Sequence, residues 1–218
     1  MRSVDAASER RLIVTWKDGA SKGILPVAEL IIRGENPRYS FGYVEGVREA
    51  LHCGFQSFLA FPHLDVRYES EELFPFFANR ILPRTRPDYL EALTAIGLDV
   101  QNASVAEILG RTSGPRVTDR IETSLVPVPD TRGRYRTYFL LRGVNQVPGA
   151  ESIIAALLPN EVLTLVKQTS NPHNPRALQL QLQANGHRLG YVPDYLVSDL
   201  DALEKAEVEP IVFGERVN

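Results

Sequence analysis

Hydrophobic and polar positions divide the chain into stretches of two kinds. Leu12-Ile13-Val14-Thr15-Trp16 is a β-branched and aromatic run closed by Asp18-Gly19, which predicts a strand entering a hairpin. Lys22 to Leu25, and Tyr39-Ser40-Phe41-Gly42-Tyr43 with its aromatics at period two, extend this to a small antiparallel sheet. From Glu71 the period changes. Leu73, Phe76, Phe77, Ile81 and Leu82 recur mostly three and four residues apart, predicting a helix that Pro83 ends, with Pro75 near its start. Pro87 suits the first turn of a second helix, carried by Tyr89, Leu90, Leu93 and Ile96 and closed by Gly97. Ser104-Val105-Ala106-Glu107 is a capping box, the signature of a third helix, read as ending at Gly110.

Arg111 to Gly133 holds Pro115, Pro127, Pro129 and the polar run Asp130-Thr131-Arg132-Gly133, so it is the candidate linker, narrowed to residues 127–133. Strand-like runs then follow at Tyr135 to Leu141, Val162 to Lys167, Ala177 to Leu182 and Arg188 to Val192. Asn185-Gly186 signals a type I′ hairpin. Short helices are expected at about Ser152 to Leu158 and after Pro193, where Leu196, Leu200 and Leu203 fall at helical spacing. No internal repeat or low-complexity tract is visible.

Composition narrows the function classes. At 218 residues, 44% hydrophobic and 23% charged, the chain has ordinary globular usage and is long enough for two modest cores. MRSVDAASERR lacks the apolar centre of a signal peptide, no run approaches a bilayer span, and the expected location is the cytoplasm, without membrane contact. A net charge of −3, with acidic residues in slight excess on both sides of Gly133, argues against bulk electrostatic binding of nucleic acid. Any such site must be local.

The single cysteine, Cys53, and the four histidines match no zinc spacing, so no metal and no cofactor is expected. Gly110 to Arg116 lacks the Gly-Lys-Ser/Thr ending of a P-loop and follows a helix where that motif needs a strand. Hydrolase, kinase and metalloprotease motifs are all missing, and Glu69-Ser70-Glu71-Glu72 reads as a solvated helix start. The expectation is a protein that is not an enzyme and has no catalytic residue.

One constellation stands apart. Asn171-Pro172-His173-Asn174-Pro175-Arg176-Ala177 leads into Leu178-Gln179-Leu180-Gln181-Leu182, and Leu189-Gly190-Tyr191-Val192-Pro193 follows the Asn185-Gly186 turn. The two Asn-Pro steps favour a rigid loop whose amides can bond a ligand or the loop's own backbone. These two motifs, with Leu163 and Leu165 before them and Leu196 after, resemble the HIRAN domain over roughly residues 136–212. The resemblance implies a small β-barrel-like module, found on chromatin-remodelling helicases, where it captures the 3′ end of single-stranded DNA, and also in bacterial proteins. It implies ligand contacts at Asn145, Gln146, Asn171, His173, Asn174, Arg176 and Tyr191. In the family's Asn-Pro-Tyr-Asp loop the aromatic is here His173 and the carboxylate Asn174, and the family's Gly-x-Arg-Tyr-Tyr entry is here Gly143-Val144-Asn145-Gln146-Val147.

The N-terminal part resembles a different family. Tyr39 to Tyr43, Phe58 to Pro62, Pro75-Phe76-Phe77-Ala78-Asn79-Arg80-Ile81-Leu82-Pro83 and Ile108-Leu109-Gly110-Arg111 follow the order of the N-terminal subdomain of HipA-type toxin kinases. The resemblance covers about residues 12–126 and implies a region without catalytic residues that packs on a kinase body, or serves as a separately encoded partner or antitoxin.

Together these readings give an α+β chain. An N-terminal small antiparallel sheet with helices (10–126) is followed by a linker (127–133) and a C-terminal, mostly-β, HIRAN-like barrel with short helices (134–214). The function expected is a non-enzymatic adaptor or antitoxin-like partner of a HipA-type serine/threonine kinase, with single-stranded DNA as a second candidate ligand. A stand-alone DNA 3′-end binder in repair and an unrecognised enzyme are the alternatives.

Overall fold

A computed structural model describes residues 9–20, 23–34, 36–114, 119–158, 160–171 and 174–214. It divides into two compact units, Met1–Tyr138 and Phe139–Asn218, each with its own core. The architecture is mixed α+β, with two antiparallel sheets. Among the described residues no helix is long and apolar enough to cross a membrane.

The first unit is built on strands β1 (Arg10–Lys17), β2 (Ile24–Arg33), β3 (Arg38–Tyr43), β4 (Tyr68–Ser70) and β5 (Ile121–Leu125), in the order β4-β3-β2-β1-β5. Leu12 and Val14 alternate with less buried neighbours and bury completely, as a strand with one core face must. Beyond the Asp18-Gly19 turn, the expected run Lys22 to Leu25 is the beginning of a strand that continues to Arg33; Lys22 itself lies outside the described residues. Pro26 hides that continuity, because proline signals a strand end. Here Pro26 faces Thr15 where the β1–β2 register shifts, a bulge that needs no ladder N–H from it.

Period-two aromatics place Tyr39 and Phe41 in the core with Tyr43 beside them. Phe41 stacks on Phe61 with centroids 3.8 Å apart, and Phe58, Phe76 and Phe77 pack around this pair. That cluster explains why the expected helix from Glu71 to Leu82 shrinks to one turn, α2 (Pro75–Ala78). Phe58, Phe61, Phe74, Phe76 and Phe77 meet ring to ring, and their contacts, not a helical ladder, set the backbone path. Glu69 lies in β4 and Glu71 and Glu72 in the turn after it, so this acidic run does not open a helix.

Helix α1 (Val47–His52) went unread in the sequence. Helix α3 (Tyr89–Thr94) lies inside the expected stretch but is shorter: Pro87 precedes its N-cap Asp88, and it stops before Ile96 and Gly97. Helix α4 (Val105–Thr112) opens with the expected reciprocal box: the Glu107 N–H donates to Ser104 Oγ at 3.2 Å and the Ser104 N–H to the Glu107 carboxylate at 3.0 Å. It continues past Gly110 to Ser113, whose φ of +59° ends it. Gly110 lies inside the helix, where its lack of a side chain serves packing: a Cβ there would come within 2.7 Å of Leu125 Cβ on β5. Gly110 to Gly114 is therefore helix and C-terminal turn, and Pro115 and Arg116 lie outside the described residues. The stretch Arg111 to Gly133 is not all linker, since β5 pairs with β1 from Leu12↔Leu125 to Trp16↔Ile121.

The second unit holds a 3₁₀ turn (Val144–Gln146), α5 (Ala150–Ala155), β6 (Glu161–Lys167), β7 (Leu178–Leu182), β8 (Arg188–Tyr191), α6 (Asp194–Lys205) and β9 (Val212–Gly214). Its sheet order is β8-β7-β6-β9, so β8 and β9 are open edges and the described strands do not close into a barrel. Leu180 and Leu182 sit opposite Leu165 and Leu163 of β6, and with Leu178, Leu189, Val192 and Val197 they form the core. Two local expectations change. Tyr135 to Leu141 forms no strand; only Arg142 beyond it bridges to Tyr191. The Asn185-Gly186 turn is not type I′, since β7 and β8 are joined by five residues with positive φ at Gly186 and not at Asn185. The Asn185 side chain caps the bend by accepting from the His187 N–H at 3.0 Å.

Candidate recognition surface of the second unit

The two motifs of the C-terminal constellation meet at one end of the four-stranded sheet, where β6 ends, β7 begins, β8 ends and α6 starts. The β6–β7 loop is closed at its neck by the Gln168 N–H on the Ala177 carbonyl at 2.9 Å. Within it, the Asn174 N–H donates to Asn171 Oδ1 at 3.2 Å, and Asn174 Oδ1 accepts from the Arg176 N–H at 2.9 Å. These are the self-bonding turns that Asn favours. The Asn174 amide then donates to Asp194 Oδ1 at 2.9 Å, tying the loop to the first turn of α6, where a carboxylate is also favoured by the helix dipole.

Arg176 extends along the same helix, donating to Ser198 Oγ at 3.3 Å and to Asp201 at 2.9 Å. One turn further on, Lys167 pairs with Glu204 at 2.5 Å, a contact that raises the lysine's pKa. Asp194, Asp201 and Glu204 give this side of α6 an acidic character, and Asp201 and Glu204 neutralise the two nearby cations.

On the other side of this end, β8 carries Tyr191. Its N–H donates to the Arg142 carbonyl at 2.8 Å and its carbonyl accepts from the Arg142 N–H at 2.9 Å, which brings the turn of Asn145 and Gln146 alongside. Gly143 makes the approach possible. With φ of +63°, a Cβ on it would meet the Tyr191 ring at 3.1 Å and Gln146 Oε1 at 3.5 Å. Asn145 and Gln146 are exposed and Tyr191 is half-buried. Across the strand from Tyr191 sits Gln179, 1% exposed, whose Oε1 accepts from Gln181 at 3.1 Å and from Gln168 at 3.4 Å.

Six of the expected contact residues are thus placed: Asn145, Gln146 and Tyr191 on one flank, Asn171, Asn174 and Arg176 on the other. The seventh, His173, lies outside the described residues, with Pro172. The second flank is largely occupied with holding its own loop and α6, whereas the first presents free amide edges beside an aromatic ring. Sequence reading missed Gln168, Gln179 and Gln181. The alternation Leu178-Gln179-Leu180-Gln181-Leu182 carried a signal for two of them, since leucines committed to the core send the glutamines to the opposite face. Gln168 had no such signal.

Chemically the first flank offers neutral amide donors and acceptors plus one ring, and the second a set of ion-paired and hydrogen-bonded groups. Among the described residues no group of three or more His, Cys, Asp or Glu side chains is placed to hold a metal ion. A shallow cleft of about 330 Å³ in this unit lies at the other end of the sheet, lined by Ile153, Leu157, Glu161, Leu182, Asn185 and His187 among others, and includes none of the expected residues. In comparison with known proteins, no family model matches the chain, and no curated protein or solved structure matches it.

Proposed function

We propose that this chain is a non-enzymatic adaptor. In this reading the first unit docks on a HipA-type serine/threonine kinase as a partner or antitoxin, and the second is a HIRAN-like recognition module with a barrel-related fold. The observation that supports it is the meeting of the two motifs behind the C-terminal resemblance, with Asn174 bonded to Asp194 just after Tyr191 and Gln179 paired across from Tyr191. In this reading the Asn174–Asp194 bond braces the loop, and the exposed amides of Asn145 and Gln146 beside Tyr191 supply the hydrogen-bonding edge.

The test is co-expression with a HipA-type kinase encoded beside this gene, followed by co-purification and a phosphorylation assay. A stable complex with reduced kinase activity is expected; neither binding nor inhibition would remove the kinase reading. A second reading, capture of a single-stranded DNA 3′ end, is favoured by the exposed Asn145 and Gln146 beside the Tyr191 ring. Anisotropy with 3′-hydroxyl and 3′-blocked oligonucleotides decides it, since end capture requires the free hydroxyl to bind more tightly.

A further inference from the structure

We propose that the segment Arg132–Tyr138 of the first unit, together with Arg111, is a contact site for single-stranded nucleic acid, separate from the recognition surface of the second unit. The segment carries no regular secondary structure and every residue in it is exposed. Its form is set by one turn. The Asp130 carboxylate accepts from the Arg132 N–H at 2.8 Å and the Arg134 N–H at 3.0 Å, and ion-pairs with the Arg134 guanidinium at 2.8 Å. These bonds hold the Asp130 pKa down, the Arg134 backbone bond foremost. Asp130 thereby neutralises Arg134 while Arg132 and Arg136 form no ion pair among the described residues.

Aromatic rings lie between and beyond these cations. Tyr135 is 67% exposed and Tyr138 42% exposed, although rings of this size gain most by burial. The Arg111 guanidinium lies 3.8 Å from the centroid of the Tyr138 ring, held there by bonds to the Ile96 and Gly97 carbonyls at 3.0 Å each. A planar cation fixed on a ring is a prebuilt stack. Two residues lie between the two tyrosines, which limits the spacing of their Cα atoms to about 11 Å. That is within the reach of three stacked bases at about 3.4 Å each.

Charge and shape select the ligand class. Asp130 to Tyr138 holds three arginines and one aspartate in a chain whose net charge is −3, so this is a local basic site on an acidic protein. Phosphates fit the free guanidinium groups, and exposed rings fit bases only where these are unstacked, which excludes the interior of a duplex. By contrast, the second unit's loop has its cations neutralised along the acidic face of α6.

Full-length protein is titrated into fluorescein-labelled dT20 and a 20-base-pair duplex between 50 and 200 mM salt, with anisotropy as the readout. Binding of dT20 over the duplex is expected, with Tyr135→Ala weakening it about tenfold, the loss of one stacked base. Arg132→Glu/Arg136→Glu is expected to flatten the salt dependence of log K by at least about 1.4, two phosphates' worth for a single strand. These side chains are exposed, so the melting temperature should hold, and a variant that melts early is replaced by Tyr135→Ser or Arg136→Gln. Asn145→Ala/Gln146→Ala tests the other surface in parallel. If that variant alone loses dT20 binding, the present inference falls and the second unit's site stands; if Tyr135→Ala alone loses it, the reverse holds. No binding at 50 mM salt, equal binding of duplex, or an unchanged Tyr135→Ala each overturns the inference.

Discussion

Asn174 donates its side-chain amide to the Asp194 carboxylate across 2.9 Å while its own oxygen accepts from the Arg176 backbone, so one residue braces the β6–β7 loop and the start of α6 together. Asn174→Ala removes both bonds and should destabilise the second unit by about 1–2 kcal/mol, read from the urea midpoint. Asn174→Asp should cost more at neutral pH, because it swaps the donor for a second carboxylate facing Asp194. Combining Asn174→Asp with Asp194→Asn should restore most of the loss, since the new amide can donate in the opposite direction. A double variant no better than Asn174→Asp would show that the pair does not couple.

Gly190 allows β8 to meet the Arg142 segment. A Cβ on it would come within 2.7 Å of the Arg142 carbonyl oxygen and 2.8 Å of Leu141 Cγ, so Gly190→Ala must push the segment away. Opening the two backbone bonds between Arg142 and Tyr191 should cost about 1–3 kcal/mol, the usual range for overpacking. Faster hydrogen exchange at the Arg142 and Tyr191 amides, with Leu180 still protected, is the expected signature. Uniform acceleration across the sheet would indicate global unfolding instead.

These two residues show what was legible in the sequence. The strands of the second sheet were readable because leucines at period two have one core to face, and α6 because Leu196, Leu200 and Leu203 share a helical side. The capping box at Ser104 was readable because both bonds are local. Contacts distant in sequence left less trace: β5 pairs with β1 more than a hundred residues earlier, and its short Ile121-Glu122-Thr123-Ser124-Leu125 run was not legible as a strand. The aromatic cluster around Phe41 likewise overrode the helical spacing from Leu73 to Leu82, since ring packing is a tertiary effect that local periodicity does not encode. In the candidate surface, the residue types were visible, but the partners Asp194 and Asp201, which decide whether Asn174 and Arg176 are free, were not.

Tyr43 fixes the segment that carries Phe58 and Phe61. Its hydroxyl donates to the Phe61 carbonyl at 2.8 Å and accepts from the Phe58 N–H at 2.8 Å. Tyr43→Phe leaves both backbone groups without this partner and should cost about 1–3 kcal/mol. Burial, the largest cause, pushes the Tyr43 pKa up to about 12. Because the folded pKa lies above the unfolded value of about 10, the folded state holds the proton more tightly. The stability tied to this group is therefore complete below pH 10 and is lost as the pH rises towards 12. Alkaline unfolding followed by circular dichroism should show a shallower decline over that window in Tyr43→Phe than in the wild type.

Arg80 is the most deeply buried charge among the ion pairs of the described residues, with its side chain 1% exposed and that of its partner Asp119 31% exposed. Besides the ion pair, Arg80 donates to the Gly114 carbonyl at 2.9 Å and lies over the Phe76 ring at 4.4 Å, but its Nε has no hydrogen-bond partner. The two ends of the pair are therefore unequal. Asp119→Ala strands a cation in the core and should cost about 3–5 kcal/mol. Arg80→Met removes the buried charge, fills much of its volume and leaves Asp119 able to reach water and to accept from the Ile121 N–H at 3.2 Å, so it should cost clearly less. Raising salt from 0.1 to 1 M should change neither difference much, because buried pairs are weakly screened. Urea unfolding of the two variants decides the point: equal losses, or a larger loss for Arg80→Met, would mean that contacts of the arginine stem, and not its buried charge, set the stability of this corner.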